Sequence, residues 1–109
     1  MTERLVNPVQ PKLTTSKKKF LKGIAHGLRP VILIGANGLT PAVSDAVEEA
    51  LSHHELLKIK MAEDDRDARQ AMINALVEQT GAQIVQSVGK IVVLLRLNVD
   101  SELAAELPK

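Results

Sequence analysis

The 109-residue sequence contains no cysteine, tryptophan or tyrosine, and only one phenylalanine. Without cysteine the chain can form neither disulfides nor thiolate metal sites. Its apolar runs are all far shorter than the roughly 20 residues that a membrane-spanning helix needs. The N-terminus lacks the charged start, apolar stretch and cleavage site of a secretory signal. We therefore expect a cytoplasmic protein that does not associate with membranes.

Positive and negative charges are separated along the chain, although the net charge is only +1. Residues 1–40 carry seven Lys or Arg and one acidic residue, a net charge of +6, whereas residues 41–109 carry seven and twelve, a net charge of −5. Such segregation is typical of a polyanion-binding face whose acidic opposite side limits non-specific binding. A lysine-rich helix that is merely solvated gives the same pattern, so charge alone leaves nucleic-acid binding open.

Apolar periodicity and the positions of glycine and proline predict a single folded domain over residues 14–97. Residues 1–13 lack apolar periodicity and are predicted to form a flexible arm, and the polar, acidic residues 98–109 a frayed tail. Three helices are predicted at about 15–27, 41–54 and 65–80, and four strands at 31–34, 56–61, 84–88 and 91–97. Gly89-Lys90 suits a type II′ hairpin turn between the last two strands.

The element order α-β-α-β-α-β-β predicts an α/β (α+β) fold. Strand–helix–strand units favour parallel pairing with right-handed crossovers, whereas the final hairpin must be antiparallel. The simplest layered solution is a four-stranded mixed sheet with helices packed on it. The apolar run Val31-Ile32-Leu33-Ile34 is predicted to be a buried strand.

Gly35-Ala36-Asn37-Gly38 lies where the first strand ends and the second helix begins, the position at which open α/β sheets tend to bind ligands. Two glycines around small residues allow a sugar-phosphate backbone to approach the main chain, and the following helix start, capped by Thr40, favours an anion. A GxxG loop at such a junction clamps nucleic-acid backbone in KH modules. The loop has neither the Lys-Ser/Thr pair of a mononucleotide P-loop nor the third glycine of a dinucleotide fingerprint.

Two further groups of cations extend this candidate surface. Lys18, Lys19, Lys22 and His26 fall opposite the apolar stripe of the first helix, whose Phe20 is predicted to be core. Lys58 and Lys60 alternate with the apolar residues of the second strand, and either join the surface or face solvent.

The sequence resembles the YhbY-like family, single-domain bacterial proteins built on the CRM (chloroplast RNA splicing and ribosome maturation) module. The resemblance rests on KFLKGIAHGLRPVILIGANGLT (19–40), ALSHHELLKIK (50–60), Thr80-Gly81-Ala82 and VQSVGK (85–90), and covers roughly residues 14–97. It implies a fold similar to the C-terminal domain of translation initiation factor three. It also implies RNA binding through the GxxG loop and association with precursors of the large ribosomal subunit. Plant relatives assist group II intron splicing, and no member is implied to be an enzyme.

The chain departs from the family pattern at two places. Ala36 stands where members commonly have lysine, arginine or serine, which shifts the predicted phosphate contacts onto backbone amides and lysines. Leu95 stands where a tyrosine often precedes the arginine, so base stacking on aromatics is hardly available and recognition should rest on backbone and shape. The predicted RNA-binding residues are Lys18, Lys19, Lys22, His26, Arg29, Gly35, Ala36, Asn37, Gly38 and Thr40, with Lys17, Lys58 and Lys60 as an extension.

No set of residues suggests catalysis, a metal or a cofactor. His53-His54-Glu55 diverge in direction, and the acidic run Glu63-Asp64-Asp65 lacks calcium-loop spacing, so it is interpreted as a helix N-terminal charge cluster. We expect a monomer whose partner is ribosomal RNA, with ribosomal proteins as candidate further partners. The alternative is a protein–protein adaptor of the same fold that docks ribosomal proteins or assembly factors through its acidic half.

Overall fold

A computed structural model gives the structure of residues 10–109. Residues 1–9, which make up most of the predicted arm, lie outside the described residues. The elements are α1 (Thr15–His26), β1 (Ile32–Ile34), α2 (Pro41–His54), β2 (Leu56–Met61), α3 (Arg66–Thr80), β3 (Gln83–Val88), β4 (Ile91–Leu95) and α4 (Glu102–Glu106). The predicted α-β-α-β-α-β-β order is confirmed, and a short C-terminal helix is added to it.

The three long helices begin at side chains that accept hydrogen bonds from their first turns. Thr14, Thr40 and Asp65 accept from the backbone N–H groups of Lys17, Val43 and Ala68, respectively. Each cap satisfies one of the N–H groups that a helix start leaves without an intrahelical acceptor. Gly81 ends α3 in the left-handed conformation, with φ of +75°, which glycine adopts without steric cost.

The four strands form one mixed sheet in the order β1-β2-β4-β3. The β1–β2 pair is parallel, and the β2–β4 and β4–β3 pairs are antiparallel. Gly89 has a positive φ of +56° at the β3–β4 turn, as a type II′ turn requires at its first central position. A register shift between Ile84 and Gln86 bends β3 against its neighbour.

Helices cover both faces of the sheet and divide the core into two clusters. On one face α2 and α3 pack against strand residues that include Leu57, Ile59 and Leu94. On the other face α1 contributes Leu21 and Ala25 to a second cluster, and Leu103 of α4 and the following Leu107 pack against it. Strand residues alternate between the two clusters because successive side chains point to opposite faces.

The first strand is not buried as predicted. Ile34 is fully buried and Ile32 half-buried beneath α2, but 63% of Leu33 and 53% of Val31 is exposed. The reason is that β1 is an edge strand and α1 does not extend over it, so the prediction of a strand buried on both faces was wrong.

The acidic C-terminal segment is more ordered than a frayed tail. The Ser101 hydroxyl accepts a hydrogen bond from the Ala104 N–H at 2.9 Å and caps α4. Leu103 and Leu107 then pack against the cluster beneath α1. Burial of these two side chains offsets the low stability that a five-residue helix has by itself.

Arg96, which follows β4, is a buried charge that joins three elements. Its guanidinium donates two hydrogen bonds of 2.8 Å to the Glu48 carboxylate of α2, and others to the Thr80 carbonyl and the Ser52 hydroxyl. Only 5% of Arg96 is exposed. This arginine therefore holds α2 and the end of α3 to the central strand, and its charge does not reach the surface.

Candidate nucleic-acid interface

The GxxG loop forms a tight turn at the carboxyl end of β1. The Gly38 N–H donates to the Gly35 carbonyl at 3.0 Å, which places Ala36 and Asn37 at the exposed corner. Gly38 has a φ of +72°, a backbone conformation that residues with a Cβ atom rarely adopt. Glycine is therefore required at this position by the backbone conformation of the turn.

Backbone donors are available around this turn. Among residues 10–109, the N–H groups of Ala36, Asn37 and Leu39 have no protein acceptor. The start of α2 follows at once, and its dipole places partial positive charge beside them. Thr40 itself is engaged, since its hydroxyl accepts from the Val43 N–H at 3.2 Å. Among the predicted RNA-binding residues, Thr40 is therefore the one that caps α2.

The predicted basic face of α1 points away from the sheet. Leu21 and Ala25 are buried against the sheet, whereas Lys19, Lys22 and His26 are exposed on the outer side of the helix. Thr15, Lys18, Lys19 and Lys22 line one shallow depression on this surface. Arg29 is also exposed, just beyond the helix end, and Lys17 and Lys18 are half-buried.

The α1 lysines and the loop are not in direct contact. The Val31 N–H donates to the Lys58 carbonyl, and the Lys58 ammonium donates to the Leu28 carbonyl, both at 3.1 Å. The end of α1 therefore lies at the start of β1, whereas the loop follows the last residue of that strand. Because a strand rises about 3.3 Å per residue, the three-residue β1 separates them by roughly 10 Å.

Lys58 and Lys60 lie between these two groups. Both are on the face of β2 that α1 partly covers, since Leu57 and Ile59 point to the opposite cluster. Lys58 contacts the end of α1, and Lys60 pairs with Leu33, two residues before the loop. The Lys58 ammonium has three donors and uses one on Leu28, so it can still bind an anion. These two lysines therefore place two cations on β2 between the end of α1 and the loop.

The acidic residues near the loop are engaged in local structure. Asp65 caps α3, and Glu63 accepts a hydrogen bond from the Asp65 N–H at 2.9 Å. Asp64 pairs with Lys90, and this hydrogen-bonded ammonium lowers the pKa of the Asp64 carboxyl below its ordinary value. The acidic run Glu63-Asp64-Asp65 therefore stabilises the start of α3, where negative charge is favourable.

Within residues 10–109, no group of three or more His, Cys, Asp or Glu is placed to hold a metal ion. The His53 ring lies 2.9 Å from the Glu49 carbonyl in the preceding turn of α2, through its Nδ1 atom. In the same part of the chain, no helix is both long and apolar enough to cross a bilayer.

Sequence reasoning missed the surface around Leu33. This leucine was predicted to be buried, yet it stands beside Lys60 on the exposed face next to the loop. The sequence does contain a signal for the exposure of Leu33. Lys58 and Lys60 alternate with apolar residues in β2, which indicates that one face of the sheet is not fully covered by helices.

Comparison with known proteins gives a consistent family. The CRS1/YhbY (CRM) domain matches residues 13–96. An RNA-binding protein of Haemophilus influenzae is 47% identical over 97 residues, which cover 89% of this chain and 96% of the relative. A probable RNA-binding protein of Pseudomonas aeruginosa is 43% identical over 86 residues, with 79% and 83% covered.

A more distant sequence relative and one solved structure also match this chain. The probable RNA-binding protein YqeI of Bacillus subtilis is 30% identical over 96 residues, which cover 88% of this chain and 99% of the relative. The solution structure of a hypothetical Staphylococcus aureus protein proposed to bind RNA matches with a TM-score of 0.74 and 25% identity, covering 89% of this chain and 98% of that one. The chain belongs to the CRS1/YhbY (CRM) domain family.

Proposed function

We propose that this protein binds ribosomal RNA in precursors of the large ribosomal subunit and assists their assembly. Membership of a family whose relatives are named RNA-binding proteins supports the RNA partner. The observation that carries the proposal is the GxxG turn. Within residues 10–109 it leaves three backbone N–H groups without a protein acceptor beside a helix start, and Lys58 and Lys60 lie between the turn and α1.

The loop, β2 and α1 each make a different part of the proposed contacts with RNA phosphates. One phosphate accepts hydrogen bonds from the N–H groups of Ala36, Asn37 and Leu39, and the dipole of α2 stabilises its charge. Further phosphates along the RNA are then neutralised by Lys60, Lys58 and the lysines of α1. Contacts of this type fix the position of the RNA but carry little sequence information. Affinity should therefore fall linearly with salt on a log–log scale.

Charge reversal tests the basic face. Changing Lys18, Lys19 and Lys22 together to glutamate should abolish binding to ribosomal RNA, because three favourable phosphate contacts become repulsive. The matched control is Lys12→Glu, Arg66→Glu and Lys109→Glu, three exposed cations outside the proposed surface with the same change in net charge. Circular dichroism checks that both variants fold. Equal binding by the two variants would refute this surface.

The cellular target requires a separate experiment. Crosslinking in cells, followed by sequencing of the attached RNA and by gradient sedimentation, should recover the protein with precursors of the large subunit. Recovery mainly with small-subunit precursors or messenger RNA would overturn the proposed target. Weak salt dependence with free RNA, combined with sedimentation on protein-containing particles, would favour the adaptor function instead.

A further inference from the structure

One row of side chains crosses all four strands at the end of the sheet that carries the GxxG loop. Leu33 of β1 pairs with Lys60 of β2, Lys60 with Ile91 of β4, and Ile91 with Val88 of β3. Residues paired in this way point to the same face. We call these four residues the platform row. Strands about 4.8 Å apart make it roughly 14 Å wide.

The platform row lies on the face that α1 covers elsewhere. The neighbouring residues Ile59, Val92 and Ile34 belong to the opposite cluster beneath α2 and α3, so alternation directs the row toward the α1 side. Farther from the loop on this same face, Val93 and Leu95 are 1% and 0% exposed. The part of this face that α1 covers therefore includes Val93 and Leu95 but not the platform row.

The platform row is exposed and apolar apart from one ammonium group. Leu33 is 63% and Val88 61% exposed, Ile91 is half-buried, and Lys60 stands between Leu33 and Ile91. Exposed apolar side chains that are grouped in one row around a cation differ from singly scattered ones, which need no explanation, and such groups mark interaction sites. It adjoins the loop, since Leu33 precedes Gly35 by two residues.

We propose that the platform row receives unpaired nucleobases of the RNA whose phosphates bind the loop and Lys60. This inference rests on the proposed function and adds a preference for unpaired RNA. A nucleobase has two apolar faces, which stack on neighbours in a duplex and are free in a loop or bulge. The aliphatic side chains provide the contact that aromatic residues provide in other single-strand binders.

The charge of the platform row favours RNA over a protein as its occupant. Lys60 places a cation in the middle of the apolar surface, and Lys58 is the next side chain on the same face of β2. A base attached to a phosphate complements both features, because the base covers the aliphatic groups and the phosphate meets the ammonium. The site is also continuous with the backbone donors of the loop, where a phosphate is already proposed.

The test compares two RNAs that carry the same number of phosphates, one a perfect duplex and one a hairpin with an unpaired loop. The parent should bind the hairpin more tightly. The variant Leu33→Ser/Val88→Ser should lose most of this preference, about fivefold to tenfold, which is the low end of the effect of one stacked base. Its salt dependence should not change, because neither side chain contacts phosphate. Both residues are exposed, so the fold should tolerate serine.

Two controls complete the experiment. Val99→Ser removes another exposed apolar side chain, 54% exposed, that lies outside the platform row and should leave the preference intact. Lys60→Gln should weaken binding to both RNAs and reduce the salt slope by about 0.7 to 0.9, the effect of one phosphate contact. Thermal unfolding of each variant separates loss of binding from loss of fold.

Each outcome decides the proposal. Equal binding of hairpin and duplex by the parent, or an unchanged preference in the serine variant, would overturn it. A serine variant that keeps the RNA preference but no longer sediments with protein-containing particles would assign the row to a protein partner. Strong, salt-dependent binding without any preference refutes only this inference. A lack of ribosomal RNA binding by the parent refutes the proposed function itself.

Discussion

The ion pair between Arg96 and Glu48 gives a stability prediction that the structure makes quantitative. Replacing Glu48 with glutamine leaves the Arg96 guanidinium, 6% exposed at its side chain, without an opposite charge. Removing one partner of a buried pair costs about 3–5 kcal/mol. Because 52% of the Glu48 side chain is exposed, water can replace part of the lost interaction. The Thr80 carbonyl and the Ser52 hydroxyl also remain as acceptors.

We therefore expect Glu48→Gln to lower the free energy of unfolding by about 2 kcal/mol. For a domain of this size that loss lowers Tm by roughly 10 °C. The matched control is Glu49→Gln on the same helix, whose carboxylate has no protein partner among residues 10–109. Urea unfolding at neutral pH measures both variants. A difference between them of less than about 0.5 kcal/mol, the range of ordinary surface substitutions, would refute the assigned role of the pair.

The same pair predicts a dependence on pH. The hydrogen bonds from Arg96 hold the pKa of Glu48 in the folded protein below its ordinary value of 4.5. A group with a lowered folded pKa contributes stability that is present above its unfolded pKa and is lost as the pH falls through the folded value. The difference in stability between the parent and Glu48→Gln should thus be full at pH 7 and shrink below about pH 4.5. A difference that stays constant down to pH 3 would contradict this mechanism.

Three further predictions concern the turn, the C-terminal helix and the basic surface. Gly38→Ala should destabilise the protein by about 1 kcal/mol because of its positive φ, whereas Gly23→Ala, inside α1 with open space around it, should stabilise it by about 0.5–1 kcal/mol. Thermal unfolding distinguishes the two, and a stabilised Gly38→Ala would contradict the turn geometry. Leu103→Ser/Leu107→Ser should cost about 1–3 kcal/mol in urea unfolding, since both side chains pack against the core, and no loss would mean that α4 does not dock. Lys58→Gln should reduce the salt slope of RNA binding by about 0.7 to 0.9, measured by titration at several salt concentrations, and an unchanged slope would remove Lys58 from the surface.

The sequence predicts most elements because local signals agree with the final fold. In β2 the alternation from Leu57 to Met61 and the flanking residues specify the strand, and the structure has the predicted bounds, Leu56 to Met61. Gly81 and the Gly89 turn likewise mark the end of α3 and the hairpin. These features depend on neighbours within a few residues, which periodicity and turn preferences describe well.

Other features depend on contacts between distant residues and could not be predicted in this way. The exposure of Leu33 follows from the edge position of β1 and from where α1 stops, neither of which a short apolar run reveals. Arg96 resembles a surface charge in sequence, but it is buried because Glu48 and Thr80 meet it from two other helices. The order of α4 depends on packing of Leu103 beneath α1, since a five-residue helix has almost no stability alone.

The strand order has a consequence for the growing polypeptide. β4 is the last of these four strands to be synthesised, yet it lies inside the sheet between β2 and β3. Until residues 91–95 emerge, one edge of β2 and both edges of β3 lack hydrogen-bonding partners. Unpaired strand edges of this kind are where nascent chains associate incorrectly. The sheet should therefore be completed in one late step, when β4 pairs with β2 on one side and β3 on the other.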